Sequence, residues 1–564
     1  MQELVKENKE NKSLVLLGFL MISLAAFLIR LYGAIHINFI ESEAAYVLGM
    51  GKTIPFTPSI IQNLVNTINL GLPESSTLSF RIFGVIAGTA IVFLPFLARN
   101  KIGILESFLF SLFIAIDPFM ISNAILITGN TFVLLIAGLV LISWIYERYE
   151  FSLVLLIMMA LMGRGFLYFL LISALIVIFT SNTKLVLNGL KLGITNLRTQ
   201  LDNYKHLFFF LLIMVFIFLV TSTHLNVFTS DMVNFYRGLF ADYEPANSPL
   251  LYPVTLLVYL PTTIGLIFSI VFLKSDSKRK IIRDLLLWIV VSLVLVSIYP
   301  GHRIIDLVWV SLPLWLLSSF AFEDLINAFR PIAKENFGFF IVLTVAIGNF
   351  FFGFLSFVNK IHFNLSTVDN LVAIFTILVF IIALVIYWAY LRNLQTAFKG
   401  TVFTIIGFLF LFQVSNAFHA AGFSRNPEKE LFWDGYYPDK ALVDSIVDTS
   451  IGNQLGTLTK IDVWADKDVN PQIYWEYGSE HIHDQISIEP PDMDYLAIFK
   501  TNEEPVNSEV TYLGQKFVAE SYPMWTKSPI RALVQDNFWS WFFMRSSQQY
   551  QEYNYLWLKA DQIP

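Results

Sequence analysis

The feature that most constrains this chain is a long series of apolar stretches, most of them about 17–25 residues long, the length that crosses a bilayer as a helix. Mean hydropathy is +0.63 and only 14% of residues are charged, which is membrane-protein composition. We interpret about thirteen stretches as spans, covering 14–35, 78–98, 104–122, 131–146, 151–163, 165–180, 206–223, 250–273, 284–300, 304–321, 337–357, 368–391 and 401–419. The sequence therefore predicts a polytopic α-helical membrane protein.

The distribution of basic residues predicts how these spans are oriented. With the N-terminus in the cytoplasm, 19 of the 26 Lys and Arg residues before residue 420 fall in cytoplasmic segments, as the positive-inside rule requires. Merging 151–163 and 165–180 into one helix would move the basic segment 184–205 to the outside and break that rule. An odd number of spans then places residues 420–564 outside the cytoplasm.

Residues 420–564 differ from the rest of the chain. They carry 11 Lys and Arg against 22 Asp and Glu, a balance that argues against a nucleic-acid partner. Strand patterns at 459–465 and 495–500 alternate with helix patterns at 439–451 and 471–477, which favours a small α/β domain. The aromatic-rich stretch 525–557 fits either a belt at the membrane interface or the core of this domain.

The sequence thus predicts two domains. A transmembrane domain covers 1–419, with its first outer loop at 36–77, and an extracytoplasmic α/β domain covers 420–564.

The chain has no cysteine, which excludes disulfides and thiol catalysis.

Two carboxylates, Glu41 and Glu43, follow the first predicted span. Acids at the edge of a membrane are costly to hold without a partner or a function. The sequence around them resembles the first outer loop of the GT-C-fold glycosyltransferases, above all the protein O-mannosyltransferases and the lipid A aminoarabinose transferase. Further motifs carry the same resemblance: Ser79-Phe80-Arg81, Asp117-Pro118-Phe119, Tyr299-Pro300-Gly301-His302-Arg303, and the segment from Asp306 to Trp315. The chain departs from the family pattern at Ser42 and Asn130, where acids are usual.

The resemblance implies transfer of a sugar from a polyprenyl-phosphate donor of the dolichyl or undecaprenyl type. Such a reaction needs a base for the acceptor, positive charge on the leaving phosphate and an apolar groove for the lipid. Glu43 is the predicted base, with Glu41 as its partner or as a ligand of a divalent metal ion (Mg or Mn). Arg303, His302 and Arg81 are the predicted phosphate-binding residues.

Each of these roles has a structural alternative. Glu41 and Glu43 could complement the N-terminus of a helix over 42–51. Arg303 could be an interfacial anchor, and Arg81 could pair with an acid such as Asp117. Asp306 could pair with Arg303.

Three functions follow from these patterns. The first is a glycosyltransferase at the outer face of a prokaryotic cell membrane, whose partners are the donor lipid, membrane lipids and a protein, lipid or glycan acceptor. The second is an inactive scaffold of the same fold that assembles with other membrane proteins, which Ser42 and Asn130 favour. The third is a transporter or flippase-associated protein, which the lack of an internal sequence repeat disfavours.

Overall fold

The computed structural model describes residues 2–47, 77–127, 130–160, 165–180, 183–200, 249–263, 279–298, 303–335, 337–362, 368–423, 427–433, 437–455, 463–466, 469–477, 497–503, 511–527, 529, 538–539, 541–542, 545 and 549–559. The chain forms two compact units. The first consists of Met1–Ile35, Thr57–Phe423 and Lys527–Ser546. The second consists of His36–Phe56, Ser424–Thr526 and Ser547–Pro564.

These units depart from the predicted division at residue 420 in two places. The segment His36–Phe56, which lies in the first predicted outer loop, groups with the C-terminal residues, and Lys527–Ser546 groups with the apolar helices. Both groupings depend on contacts between residues that are far apart in sequence.

The first unit is helical. Its helices are α1 (Gln2–His36, whose last residue begins the second unit), α3 (Thr77–Ile102), α4 (Ile104–Ala115), α5 (Pro118–Ile125), α6 (Asn130–Ile145), α7 (Tyr149–Ala160), α8 (Gly165–Phe179), α9 (Thr183–Gln200), α10 (Leu251–Tyr259), α11 (Arg279–Ile298), α12 (Val308–Glu335), α13 (Phe337–His362), α14 (Val368–Leu391) and α15 (Leu394–Ala420). A 3₁₀ turn, Ile304–Leu307, precedes α12.

Most predicted spans coincide with one of these helices. Within the described residues, seven helices are long and apolar enough to cross a membrane, or eight if the bent pair α4 and α5 forms one span. The helices α6, α7 and α8 are apolar but shorter. The span predicted at 206–223 lies outside the described residues, as does 264–273, the second part of the span predicted at 250–273. The polytopic helical class is confirmed, and the count of thirteen stays a prediction.

A single residue connects α3 to α4. Gly103 has a φ of 117°, a backbone conformation that costs glycine little and other residues more. A Cβ atom at this position would also lie 2.0 Å from the Glu106 side chain. Glycine therefore allows α4 to begin one residue after α3 ends.

Among its described residues, the second unit contains a four-stranded sheet and two α-helices besides α2 (Glu41–Val47). In chain order these are α16 (Lys440–Leu455), β1 (Val463–Ala465), α17 (Pro471–Tyr477), β2 (Ala497–Lys500), β3 (Tyr512–Pro523) and β4 (Gln549–Lys559). The strand order is β1-β2-β4-β3, with β1 and β2 parallel and the other pairs antiparallel. The predicted α/β domain is confirmed as a fold.

The core of this unit lies on one face of the sheet. Apolar residues of α16 and α17, such as Val443 and Ile473, pack there against Phe499, Phe517 and Leu556. On the other face, Trp557 lies over Gly514, its partner in the antiparallel register, where a Cβ would come within 2.7 Å of the indole ring. Aromatic residues of β4, at the end of 525–557, therefore serve the sheet. Because Lys527–Ser546 groups with the helical unit, the two alternatives for the stretch as a whole stay open.

Candidate functional site

The third predicted span is broken in the middle. Helices α4 and α5 meet at an angle of 58° around Asp117, which is the N-cap of α5. Its Oδ1 accepts a hydrogen bond of 2.9 Å from the Phe119 N–H, and Pro118 occupies the first helical position, where a missing N–H costs nothing. The sequence Asp-Pro-Phe is thus a local signal for a helix start inside an apolar run.

A buried arginine holds the other side of the break. Arg30 of α1 has no exposed surface and donates to the carbonyl oxygens of Ile114 and Ala115 at 3.2 and 3.4 Å, as well as to Ala26 in its own helix. The last carbonyls of a helix lack partners within it, so Arg30 satisfies two of them. The Asp117 carboxylate is near enough to act on this guanidinium electrostatically.

Asp117 also ties the broken span to α12. Its Oδ2 accepts from the Ser311 hydroxyl at 2.5 Å and from the Trp315 indole N–H at 3.0 Å. These two donors are four residues apart and therefore share one helix face. Neither Ser311 nor Trp315 was predicted as a partner of Asp117, although their spacing on an apolar helix was the available signal. Arg81 was also proposed as a partner of Asp117, and that pairing stays a prediction; the charge of Asp117 acts on Arg30.

A second buried carboxylate, Asp306, lies at the start of α12. It is 1% exposed, and its Oδ2 accepts a hydrogen bond of 3.0 Å from the backbone N–H of Arg303. Its Oδ1 accepts a hydrogen bond of 3.0 Å from the side-chain amide of Asn130, at the first residue of α6. Asp306 therefore contacts Arg303 through its backbone, and the predicted pairing of their charges stays a prediction.

Further polar contacts join α5 and α6 to the same turn. The Asn123 amide donates to the carbonyl oxygen of Ile305 at 2.8 Å, and the Thr131 hydroxyl donates to the carbonyl oxygen of Asn123 at 2.7 Å. Both side chains are buried. The turn that carries Arg303 is thus fixed by hydrogen bonds from two other helices, while Arg303 itself is half-buried.

The predicted catalytic pair lies in the second unit. Glu43 is fully buried in α2, and its Oε2 accepts a hydrogen bond of 3.2 Å from the Ile40 N–H, three residues earlier. This is one half of a capping box, so the helix-start alternative describes this bond. Helix α2 packs on α17, where the Gln472 side chain donates to the carbonyl oxygen of Phe39. Glu41, in the first turn of α2, is partly exposed.

The predicted site residues therefore divide between the units. Glu41 and Glu43 belong to the second unit, and Arg81 and Arg303 belong to the first. Arg81 is buried in α3, with 1% of its surface exposed. His302 lies outside the described residues. The catalytic and phosphate-binding roles of these residues stay predictions.

A metal site is not formed among the residues that the structure describes, since they contain no group of three His, Cys, Asp or Glu side chains able to hold an ion. Magnesium and manganese take several oxygen ligands, and Glu41 and Glu43 supply the carboxylates of only two residues. The ligand role of Glu41 stays a prediction.

Neither a protein-family model nor a curated protein matches the chain. The solved structures similar to it include two of ArnT from Cupriavidus metallidurans. The apo structure is 13% identical and has a TM-score of 0.48, covering 83% of this chain and 84% of that one. The structure bound to undecaprenyl phosphate is 11% identical and has a TM-score of 0.48, covering 81% of this chain and 83% of that one. Both are structures of the transferase that the sequence motifs resemble. At this similarity they assign no residue a role.

Proposed function

We propose that this protein is an integral-membrane glycosyltransferase that moves a sugar from a polyprenyl-phosphate donor to an acceptor at the outer face of a prokaryotic cell membrane. The observation that carries the proposal is the turn around Arg303. Arg303 is half-buried in an apolar helical unit, and the backbone of its turn is held by the buried Asp306 carboxylate and by amides from two other helices. An arginine carried on an ordered turn among apolar helices suits a ligand with a phosphate head and a lipid tail.

In the proposed reaction, the acceptor hydroxyl or amine attacks the anomeric carbon of the sugar. A new bond forms at that carbon, and its bond to the phosphate oxygen breaks. The oxygen keeps the electron pair and leaves as polyprenyl phosphate. Arg303, with His302 and Arg81, stabilises the negative charge on the leaving phosphate. Glu43, supported by Glu41, takes the acceptor proton.

The donor class is proposed from the sequence motifs, and undecaprenyl phosphate, the ligand of one matched ArnT structure, belongs to it. Membrane lipids surround the helical unit, since many large apolar side chains of α13 and α14, such as Phe352 and Phe375, are exposed. The acceptor is a protein, a lipid or a glycan.

An inactive scaffold of the same fold is the second candidate. Two observations favour it: Asn130 has an amide where the family pattern has an acid, and the Glu43 carboxylate accepts a backbone N–H at a helix start. A scaffold would keep the fold without the reaction and would purify with other membrane proteins.

Replacing Glu43 by Gln separates the two. The amide oxygen of Gln can still accept the Ile40 N–H, so the fold should persist, while the base is lost. We expect transfer from a radiolabelled undecaprenyl-phosphate sugar to fall by about 10²–10⁴-fold. Glu552→Gln is the matched control, because Glu552 is exposed on β4 of the same unit and should leave the rate unchanged.

Two results would contradict parts of this proposal. Equal transfer by wild type and Glu43→Gln would exclude Glu43 as the base. No transfer by the wild type with any lipid-linked sugar, together with stoichiometric co-purification of a membrane complex, would favour the scaffold. The outer location is tested separately by a C-terminal tag, which should be accessible to protease in sealed cells.

A further inference from the structure

The contact between Asn130 and Asp306 gives a physical reason for the amide at position 130. The two side chains belong to different elements, α6 and the turn before α12, and both are buried, at 8% and 1% exposure. The amide nitrogen lies 3.0 Å from the carboxylate oxygen. An ionised carboxylate can only accept hydrogen bonds, so the side chain facing it must donate.

An acid at position 130 would reverse this contact. Two carboxylate oxygens about 3 Å apart in a buried site repel each other unless they share a proton. Asparagine has nearly the same shape as aspartate but places an N–H donor at that point. Its hydrogen bond to a charged acceptor is among the stronger kinds in proteins.

The other oxygen of Asp306 holds the backbone of Arg303 at 3.0 Å. The carboxylate thus connects α6 to the residue proposed to bind the donor phosphate. A shift of Asp306 would move the backbone from which the Arg303 side chain starts.

We propose that Asn130 and Asp306 form a positioning pair that sets Arg303 for the donor phosphate, and that asparagine at position 130 is a requirement of this pair and no sign of lost activity. The inference rests on the proposed function. Asn130 and Asp306 are positioning residues, because they act through Arg303 and need not touch the substrate.

An exchange of the two side chains tests the pair. In Asn130→Asp/Asp306→Asn, the amide now at position 306 can donate to the carboxylate at position 130 and still accept the Arg303 N–H. The exchange keeps the net charge and the two hydrogen bonds given above, between positions 130 and 306 and from the Arg303 N–H. Asn130→Asp alone opposes two carboxylates, and Asp306→Asn alone removes the charge.

The readout is equilibrium binding of undecaprenyl phosphate to the purified full-length protein, with the melting temperature of each variant recorded. We expect Asn130→Asp to bind about 10–100-fold more weakly, the loss typical of a charge-assisted hydrogen bond. The exchanged protein should bind within about threefold of wild type, since it keeps the same bonds. Asn393→Asp adds the same charge at the exposed N-cap of α15, where an aspartate oxygen can still accept the Thr396 N–H, and should leave binding unchanged.

If Asn130→Asp fails to fold, a folded exchanged protein that binds normally still supports the pair.

Two outcomes overturn the inference alone: wild-type affinity in Asn130→Asp, or a folded exchanged protein that binds as weakly as the single variants while the wild type binds well. A wild type that binds no undecaprenyl phosphate overturns the proposed function, and the inference falls with it. Binding without sugar transfer by the wild type contradicts the transferase but supports the positioning pair if the exchange restores affinity.

Discussion

The helical unit contains two buried aspartates in similar settings with different neighbours. Asp117 and Asp306 each lie at the start of a helical turn, each accept a backbone N–H, and each connect two elements through side-chain donors. The cation near Asp117 is Arg30, which has no exposed surface and is bonded to carbonyl oxygens. The cation beside Asp306 is Arg303, which is half-buried.

This difference separates a structural carboxylate from one that supports a ligand site. A guanidinium enclosed among helix carbonyls contributes to stability and has no open side for a substrate. A partly exposed arginine on an ordered turn can bind a phosphate, since the backbone that carries its side chain is already fixed before the ligand binds. We therefore assign Asp117 and Arg30 to the fold, and we place Asp306 and Arg303 in the proposed site.

The largest effect is expected at the structural carboxylate. Asp117→Ala removes the acceptor of Ser311 and Trp315, the cap of α5 and the negative charge that acts on Arg30. Leaving one buried charge without its partner typically costs about 3–5 kcal/mol. The melting temperature of the detergent-solubilised protein should fall clearly. The control Asp284→Ala removes an exposed carboxylate bonded to its neighbour Arg283, and should change stability by at most about 1 kcal/mol. Equal melting temperatures for both variants would contradict the assignment.

A double-mutant cycle measures the coupling across the broken span. Arg30→Met and Asp117→Asn should each destabilise the protein, and the double variant should cost less than their sum, by about 0.5–3 kcal/mol, because the second change removes a charge that the first left unbalanced. Arg30→Met combined with Asp284→Ala, which share no described bond, should be additive. Additivity in both pairs would show that Arg30 and Asp117 act independently.

The smallest effect on stability is expected at Arg303. Arg303→Ala keeps the backbone N–H that Asp306 accepts, so unfolding should change by about 0.5 kcal/mol or less. Binding of undecaprenyl phosphate should nevertheless weaken by about 10–100-fold. Arg303→Lys keeps the charge but loses the bidentate hydrogen bonding of a guanidinium. Its affinity for undecaprenyl phosphate should lie between those of Arg303→Ala and the wild type. If Arg303→Ala lowered the melting temperature as much as Asp117→Ala, Arg303 would have a structural role like that of Arg30, and the proposed difference between the two arginines would be wrong.

Much of the helical unit could be predicted because a membrane helix is a local structure. An apolar run of sufficient length satisfies its own backbone hydrogen bonds, so 368–391 and 337–357 could be located from composition alone. In the second unit, the short helix α17 was also predicted, with bounds that match those observed. The sequence Asp117-Pro118-Phe119 indicates a helix start at the break, but the apolar residues around it suggested one continuous span.

The long strands β3 and β4 were not predicted, because their sequence patterns do not indicate a strand along their whole length. Only the C-terminal half of β4 alternates between buried and less buried residues, and its Tyr and Trp residues suggested a membrane belt as readily as a strand. What decides between these is pairing across the sheet, where Gly514 accommodates Trp557. Such pairing cannot be read from either strand alone.

The sequence by itself determined the membrane class, most helix positions, the α/β character of the C-terminal region and the set of charged residues worth testing. Only the tertiary structure decided which of those residues meet. It placed Arg30 on the carbonyls of α4, Ser311 and Trp315 on Asp117, and Asn130 on Asp306. The physical reason is that burying a charge requires partners at about 3 Å, and partners separated by 80–200 residues are brought together only by packing of the helices.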